Sequence, residues 1–355
     1  MSAALDLLFI IVIAFLVFVF LSVMFGSLPN AFRSIGNLLG ISGGMTAAIT
    51  NNTGNGTALV ITPVTINQSA LAGYVLNLIN NDRAKYGLAP VTLSNESSAQ
   101  QHSNSMLGQN YFSHWDLLGM KPYMRYTLLG GKGSVTENVA YETDEQCGAF
   151  GCTGTIDPKA ALQAMEYSMM YNDSACCNNG HRDNILNPNH NEVSIGVAYN
   201  GSAIYLTQDF IDNYVQWSGN APLYGSNGEV YLQGNLSSGY TVSQVYVSYD
   251  PPVSNYTRQT VPSGPYAYGK DIAGIVSSRF YYYKNVSTIV ADTYYTQGSG
   301  FSIDFNINNL ISQYGAGEYT AMLILNNSKT GKSFTGSTYT IFINRQGKQY
   351  VPAYV

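Results

Sequence analysis

The strongest structural signal in the sequence lies between residues 178 and 208, where a short helical stub is followed by two strands. Apolar residues alternate with small ones over 193–198, and a second strand-like run covers 203–210. Between the two runs, Asn200-Gly201 is typical of a two-residue hairpin turn. The pattern predicts that a β-hairpin holds in place the loop that carries His181.

The length of the chain and its low fraction of charged residues limit the class of protein that it can be. A chain of 355 residues is too long for one comfortable core, which predicts two folded domains and additional segments. Only 10% of the residues are charged and the net charge is −5, against about 25% charged residues in an ordinary soluble domain. Because no basic surface or glycine-rich phosphate-binding loop is evident, we exclude nucleic acid as a partner.

An apolar run over residues 7–24, interrupted only by Ser22, is long enough to span a bilayer. We predict a transmembrane helix that anchors the chain to the membrane within residues 1–25, followed by a linker over 26–67. The alternative is a cleaved signal peptide and a secreted protein. The positive-inside rule, applied to Arg33, would keep the chain in the cytoplasm, but long domains translocate largely regardless of charge.

Ten Asn-x-Ser/Thr sequons favour an extracellular position, because such sequons accept N-glycans in exported proteins. They predict a single-pass cell-membrane glycoprotein with extracellular domains. The sequons begin at Asn51, Asn55, Asn67, Asn95, Asn172, Asn200, Asn235, Asn255, Asn285 and Asn326.

All four cysteines lie within one segment, and an even number in one domain of an exported protein favours two disulfide bonds. Adjacent cysteines strain to bond each other, so we expect Cys176 and Cys177 each to pair with one of Cys147 and Cys152. A zinc site is the alternative, although the spacing lacks the usual C-x2-C arrangement.

Helical and strand patterns alternate over residues 68–214, which predicts a layered α/β domain. Helices are expected from about Leu71, from Asn95 to about Asn110, and from a capping Asp157 onward.

Residues 215–355 instead show repeated strand alternation, which predicts an antiparallel β-sandwich of immunoglobulin-like type. One helical turn is expected near residues 308–313. The aromatic run 280–283 is consistent with a sugar- or protein-binding face or with packing inside the sheet, and we favour packing. This domain is expected to be a spacer or adhesion module.

Four residues of the first domain are candidates for chemistry: His114, Glu137, Glu166 and His181. The two carboxylates stand among apolar neighbours, where they are costly to bury without cationic or hydrogen-bonding partners. Imidazoles are the obvious partners. We interpret His102 as a structural residue and His190, in a polar run, as exposed.

Five motifs occur in a fixed order: HSNSM at His102, YFSH at His114, TENVA at Glu137, NGHRDNILNP at His181, and SIGVAY with YLTQDF over 194–210. Together they resemble the CAP superfamily of cysteine-rich secretory, antigen 5 and pathogenesis-related proteins, in its prokaryotic branch. The resemblance covers about residues 68–212.

The resemblance implies an α-β-α sandwich with a cavity lined by two histidines and two glutamates that can hold zinc or another divalent metal. The metal ligands would then be His114 and His181, with Glu137 and Glu166 as the cavity glutamates. The surroundings of Glu166 depart from the family pattern, Thr136 replaces the usual glycine, and the insertion over 144–157 is unusual.

Three functions remain open at this point. The resemblance favours an extracellular binding protein that is not an enzyme, whose partner is a cell-surface glycan, lipid or protein. A zinc-dependent, peptidase-like hydrolase would use the same cavity, with Glu137 or Glu166 as general base. A structural cell-surface scaffold is the third hypothesis.

Overall fold

The computed structural model describes residues 67–144, 147–148, 151–152 and 154–352. The predicted membrane anchor and almost all of the predicted linker lie outside these residues. Within the described part, no helix combines enough length and apolar character to cross a membrane.

The first domain begins with an 18-residue helix and alternates helices with strands. In chain order the elements are α1 Gln68–Lys85, β1 Thr92–Leu93, α2 Ser98–Gln109, α3 Pro122–Leu128, β2 Ser134–Thr143, β3 Cys147–Gly148, β4 Gly151–Cys152, α4 Pro158–Tyr171, α5 Ser174–Cys177, α6 Gly180–Ile185, β5 Glu192–Tyr199 and β6 Ala203–Asp212.

The central sheet has the strand order β1-β5-β6-β2. Strands β1 and β5 are parallel, whereas β5–β6 and β6–β2 are antiparallel. The predicted hairpin is confirmed as β5 and β6. In the turn between β5 and β6, the Asn200 side chain accepts hydrogen bonds from the backbone N–H groups of Ser202 and Ala203 at 3.1 and 2.9 Å.

Side chains alternate across the sheet, so each face packs against its own helices. On β6, Leu206 and Phe210 pack with α1 and α4 in one core. On the opposite face, Thr207 accepts a hydrogen bond from Ser103 of α2 at 2.8 Å. The first domain is therefore a sheet between two helical layers, as expected.

Local capping explains where α4 begins. The Asp157 carboxylate accepts the N–H groups of Lys159 and Ala160 at 2.9 and 3.1 Å, and Pro158 occupies the first turn. The predicted cap is therefore confirmed. Helix α2 begins at Ser98, three residues after its predicted start at Asn95.

A fully buried arginine ties the first helix to the loop between α6 and β5. The Arg83 guanidinium donates to the backbone carbonyls of Ala89, Ile185, Asn187 and His190 at 2.8 to 3.2 Å. These bonds satisfy carbonyls that would otherwise be buried without a partner.

The second domain is rich in strands, as predicted. Its elements are β7 Val215–Trp217, β8 Leu223–Tyr224, β9 Glu229–Leu236, β10 Tyr240–Asp250, β11 Lys270–Val276, β12 Ser287–Val290, β13 Thr293–Gln297, β14 Gly300–Asn306, α7 Asn308–Tyr314, β15 Gly317–Asn327 and β16 Lys332–Ile343. The helical turn expected near 308–313 is α7.

Two sheets enclose the core of this domain, with strand orders β12-β11-β10-β15-β16 and β13-β14-β9-β7. Leu232 and Phe305 from the second sheet pack with Val245 and Leu323 from the first. One pair, β11 with β12, is parallel, so the expectation of a wholly antiparallel sandwich was wrong at that position. The likeness to an immunoglobulin domain remains a prediction.

The loop between β10 and β11, residues 251–269, packs against the first domain and is called here the 251–269 segment. The Tyr256 N–H donates to the Leu117 carbonyl at 2.8 Å, and the Ser113 hydroxyl donates to the Pro262 carbonyl at 2.5 Å. The segment runs beside β2, which is an edge strand of the central sheet. Covering an open edge in this way blocks unwanted strand pairing.

One expectation about exposure was wrong in part and another was wrong. The packing expected of the aromatic run 280–283 holds for Tyr283, whose ring centroid lies 5.4 Å from that of Tyr246, but Phe280, Tyr281 and Tyr282 are 94%, 63% and 72% exposed in the loop between β11 and β12. His190, expected to be exposed, is buried, because its Nδ1 hydrogen bonds to Asp212 at 2.7 Å.

Candidate functional site

His114 and Glu137 meet in a cluster on the face of the sheet that packs against α2. The Nδ1 of His114 donates to Oε1 of Glu137 at 2.9 Å, and the Arg125 guanidinium donates to Oε2 at 2.6 Å. Arg125 also donates to the carbonyls of His114 and Met120, each at 2.8 Å. Helix α3 therefore fixes both members of this predicted pair.

The Arg125 charge governs the ionisation of this cluster. Burial alone would raise the pKa of Glu137, but Arg125, His102 and His114 together lower that pKa to about 2. Burial, followed by the Arg125 charge, lowers the pKa of His102 to about 3. His102 is therefore neutral at pH 7, and its 3.9 Å approach to Glu137 is not an ion pair.

Asp209 is the cross-strand partner of Glu137, and both side chains lie on the same face of the sheet. Burial, together with the Glu137 charge, raises the pKa of Asp209 to about 8. Ser98 donates a hydrogen bond to Oδ2 of Asp209 at 2.5 Å. The other carboxyl oxygen, Oδ1, accepts no hydrogen bond from the described residues. A protonated Asp209 resolves this, because it can donate its own hydrogen to the neighbouring Glu137 carboxylate.

Tyr266 of the 251–269 segment covers the His114 side of the cluster. Its hydroxyl accepts the backbone N–H of Glu137 at 2.9 Å, and its ring centroid lies 5.1 Å from that of His114. The outward N–H of an edge strand is thereby satisfied by the second domain. This domain therefore supplies one wall of the candidate site.

His181 is held by Asp173, eight residues earlier. The Nδ1 of His181 donates to Oδ1 of Asp173 at 2.6 Å, and Oδ2 accepts the backbone N–H groups of His181 and Arg182 at 2.8 and 3.1 Å. Asn178 and Asn179 have φ angles of 50° and 64°, a left-handed conformation that asparagine tolerates. They reverse the chain so that α6 returns to the carboxylate.

Glu166 lies on α4, buried against the sheet. Gln208 donates to its Oε2 at 2.6 Å, whereas Oε1 has no hydrogen-bond partner among the described residues. Burial raises the pKa of Glu166 to about 8, although the Gln208 hydrogen bond opposes the change. The side chain is therefore mostly protonated at neutral pH.

We expect Glu166→Gln to flatten the dependence of stability on pH. Because the folded pKa of Glu166 lies above its ordinary 4.5, its contribution to stability is complete below about pH 4.5 and is lost as the pH rises through about 8. Removing the group should reduce the slope of unfolding free energy against pH by up to about 1.4 kcal/mol per pH unit. Urea denaturation from pH 5 to 9 measures this slope.

Asp183→Asn, at an exposed position on α6, is the matched control and should leave the slope unchanged. Some slope should survive in Glu166→Gln, because Asp209 titrates in the same direction. A slope equal to that of the wild type would show that Glu166 is ionised in the folded protein.

The predicted site residues form two pairs on opposite faces of β2. Neighbouring residues of a strand project to opposite sides of the sheet. Glu137 contacts His114 on one side, whereas Asn138 lies on the side of His181 and Glu166. Asn138 donates to the His181 carbonyl at 3.1 Å and to Gln208, the partner of Glu166, at 3.2 Å. Among the described residues we find no hydrogen bond or ion pair that joins the two pairs directly.

A second group of ligand-type side chains surrounds His181. Over the described part of the chain, one group of at least three His, Cys, Asp or Glu residues has its ligand atoms within 4.8 Å of one another: Asp173, Cys176, Cys177 and His181. The predicted set of His114, Glu137, Glu166 and His181 does not converge to this degree.

The cysteine pairing differs from the expectation. Cys176 and Cys177 are bonded to each other, so the prediction that each would pair with a cysteine of the insertion was wrong. Cys147 and Cys152 are instead backbone partners of each other in the β3–β4 ladder.

A cleft of about 320 Å³ lies away from these residues, at the junction of the two domains. It is lined by polar and aromatic side chains, among them Glu96, Tyr126, Lys132 and Trp217. It contains none of the predicted site residues.

Comparisons with known proteins agree with the sequence motifs. Residues 76–210 match the model of the "CAP: Cysteine-rich secretory protein family". YkwD of Bacillus subtilis (strain 168), itself described as uncharacterized, is 30% identical over 145 residues, which is 40% of this chain and 48% of that protein. The chain thus spans about half the length of the curated relative that it matches.

Two solved structures are also similar to part of the chain. One is an extracellular protein containing a SCP domain from Bacillus anthracis str. Ames, with 20% identity, 41% of each chain covered and a TM-score of 0.32. The other is the CAP domain of enterococcal PrgA, with 13% identity, 40% of this chain and 61% of that chain covered, and a TM-score of 0.28.

Proposed function

Since the chain contains a prokaryotic-type CAP domain over residues 76–210, we propose that it is an extracellular binding protein that holds a divalent metal or a small ligand at His114, at His181 or at each of them separately. One observation carries this proposal. Each imidazole donates its Nδ1 hydrogen to a buried carboxylate, Glu137 for His114 and Asp173 for His181. In the described structure, both Nε2 atoms are left without a hydrogen-bond partner.

This arrangement is the one that metal-ligating histidines use, because the carboxylate fixes the tautomer and makes the free nitrogen more basic. The side chains of His114 and His181 are 15% and 17% exposed, so their rings are accessible yet held in place. Neutral imidazole nitrogen is a zinc ligand, but the two histidines lie on opposite faces of β2, so an ion at either one would need further ligands of its own. A bound ion would supply Lewis acidity toward an oxygen atom of a ligand.

The ionisation of the two glutamates favours a binding protein over a hydrolase. A general base works best with a pKa near the working pH. The pKa of Glu137 is lowered to about 2 and its carboxylate is engaged by Arg125, whereas the pKa of Glu166 is raised to about 8 and the group is mostly protonated. Glu137 is therefore too weak a base to activate water at neutral pH, and Glu166 is mostly protonated and only 2% exposed.

An extracellular, membrane-anchored position is part of the proposal. Eight of the sequon asparagines lie in the described structure, and seven of these are exposed, as glycan attachment requires: Asn67, Asn95, Asn172, Asn200, Asn235, Asn255 and Asn285. In the second domain, Phe280, Tyr281 and Tyr282 offer exposed aromatic area for contact with a cell-surface glycan, lipid or protein.

The test is calorimetric titration of zinc into the purified full-length oxidised chain. We expect zinc binding by the wild type, and loss of that binding in the His114→Ala/His181→Ala double variant. His190→Gln is the matched control, because both ring nitrogens of His190 already bond Asp212 and Asn184, at 2.7 and 3.0 Å. This control should bind zinc like the wild type.

A peptidase panel on the same proteins separates binder from hydrolase. Zinc-dependent cleavage that is lost in the double variant would favour the hydrolase over the binding protein. Absence of zinc binding by the folded wild-type chain would contradict the metal proposal and favour the scaffold.

A further inference from the structure

We propose that Cys176 and Cys177, when reduced, form with His181 and Asp173 a second metal site that takes zinc or a similar thiol-seeking divalent ion. This site is distinct in composition from the His114 and His181 pair, and it depends on the redox state of the two cysteines.

The positions of the four donors carry the proposal. Their ligand atoms lie within 4.8 Å of one another, so an approach of about 1 Å brings them to the ~3.8 Å that separates two thiolate ligands of a tetrahedral zinc ion. They supply two sulfurs, one imidazole nitrogen and one carboxylate oxygen. Sulfur and imidazole donors in a set of four are characteristic of zinc sites.

The backbone brings these donors together from a short stretch of chain. Helix α5 places both cysteines within four residues of Asp173, and the left-handed pair Asn178 and Asn179 returns His181 to the same carboxylate. Asp173 is itself anchored by two backbone N–H groups, at 2.8 and 3.1 Å. Asp173 and His181 are therefore held in place before any ion arrives, which limits the ordering entropy of binding.

In the structure the two sulfurs are joined, so the site is closed to metals until the bond is cleaved. A thiol or phosphine reductant can reach them, because Cys176 is exposed and Cys177 is half-buried. With a phosphine, the disulfide and one water give two thiols and a phosphine oxide. Binding of Zn²⁺ by the two thiols as thiolates then releases two protons to solvent.

The experiment uses the full-length chain and Co²⁺ as a spectroscopic probe of sulfur ligation. The chain is reduced with a water-soluble phosphine, freed of reductant without air, and titrated with Co²⁺. We expect a near-ultraviolet sulfur-to-cobalt band that saturates at one ion per chain, is absent from the oxidised chain, and disappears when Zn²⁺ displaces the probe.

Variants assign the band to these residues. Cys176→Ser and Cys177→Ser should each abolish the two-sulfur spectrum, and Asp173→Asn should weaken binding because it removes the proposed carboxylate ligand. The Cys147→Ser/Cys152→Ser variant is the control for the other two cysteines and should keep the band. His114→Ala should also keep it, which separates this site from the proposed cavity, whose donors include no sulfur.

Three results would overturn the proposal. One is a reduced wild-type chain that gives no sulfur-to-cobalt band. Another is a band that survives in both Cys176→Ser and Cys177→Ser. The third is a folded chain whose Cys176–Cys177 bond resists the phosphine, because the metal site could not then form in the native protein.

Discussion

Replacing Arg125 by alanine should lower the free energy of unfolding by about 3–5 kcal/mol, the range for breaking a buried ion pair from one side. Arg125 is 1% exposed, and its guanidinium is the cation that keeps the Glu137 carboxylate charged inside the protein. Without it, Glu137 and the carbonyls of His114 and Met120 each lose a donor. Chemical denaturation followed by circular dichroism measures the change.

The same substitution should change the response to acid. The folded pKa of Glu137 lies below its ordinary 4.5, so its stabilising contribution is present above about pH 4.5 and is lost as the pH falls through about 2. In Arg125→Ala, burial is no longer opposed by the guanidinium, and the pKa of Glu137 should rise. The acid-induced loss of stability over this window should therefore shrink.

Two further variants keep this prediction testable if Arg125→Ala fails to fold. Arg125→Lys retains the charge but not the planar guanidinium that donates to three acceptors. Its free energy of unfolding should therefore lie between those of the wild type and Arg125→Ala. Arg125→Met/Glu137→Gln removes both charges and should recover part of the stability lost by Arg125→Met alone. A loss below about 1 kcal/mol for Arg125→Ala would mean that Glu137 is not charged in the folded state.

The sequence predicted those parts of the fold that local pattern determines. The β5–β6 hairpin follows from alternation around a typical turn, and the start of α4 follows from Asp157 and Pro158. A layered domain followed by a strand-rich domain is predicted because the spacing of apolar residues changes along the chain, from mixed helical and strand spacing to strand alternation alone. These features depend on residues close together in sequence.

The missed features depend on partners that are distant in sequence. The polar surroundings of His190 indicated exposure, but Arg83, 107 residues earlier, holds its carbonyl and Asp212 holds its ring. Tyr266 reaches Glu137 across 129 residues, from the other domain. No local pattern marks such contacts.

The sequence does contain a local signal for the partner of His181. Asp173 lies eight residues before His181, and two asparagines between them, Asn178 and Asn179, favour a sharp reversal of the chain. An acid, a turn and a histidine in this order predict that the acid and histidine meet. The resemblance implied Glu166 as a cavity residue, but the carboxyl of Glu166 accepts a hydrogen bond from Gln208.

Gly196→Ala should produce the second large loss of stability, about 3 kcal/mol, by overpacking. On β5, Ser194, Gly196 and Ala198 form a row of small residues on the face that packs against α2. An added Cβ at residue 196 would collide with the backbone of Ala99 and Gln100, which cannot move aside as a flexible side chain could. The helix would have to lift from the sheet, and Ser103 would lose its 3.0 Å hydrogen bond to the Gly196 carbonyl.

Gly73→Ala is the matched control, since it adds the same methyl group in the interior of α1, where a Cβ meets nothing within 4 Å. It should stabilise the protein by about 0.5–1 kcal/mol, the difference in helix propensity between glycine and alanine. Urea denaturation of both variants should therefore give changes of opposite sign. Equal stability of Gly196→Ala and the wild type would show that α2 lies farther from β5 than described.

The displaced α2 carries His102 and leads into the loop that holds His114, so Gly196→Ala should also weaken zinc binding, whereas Gly73→Ala should not.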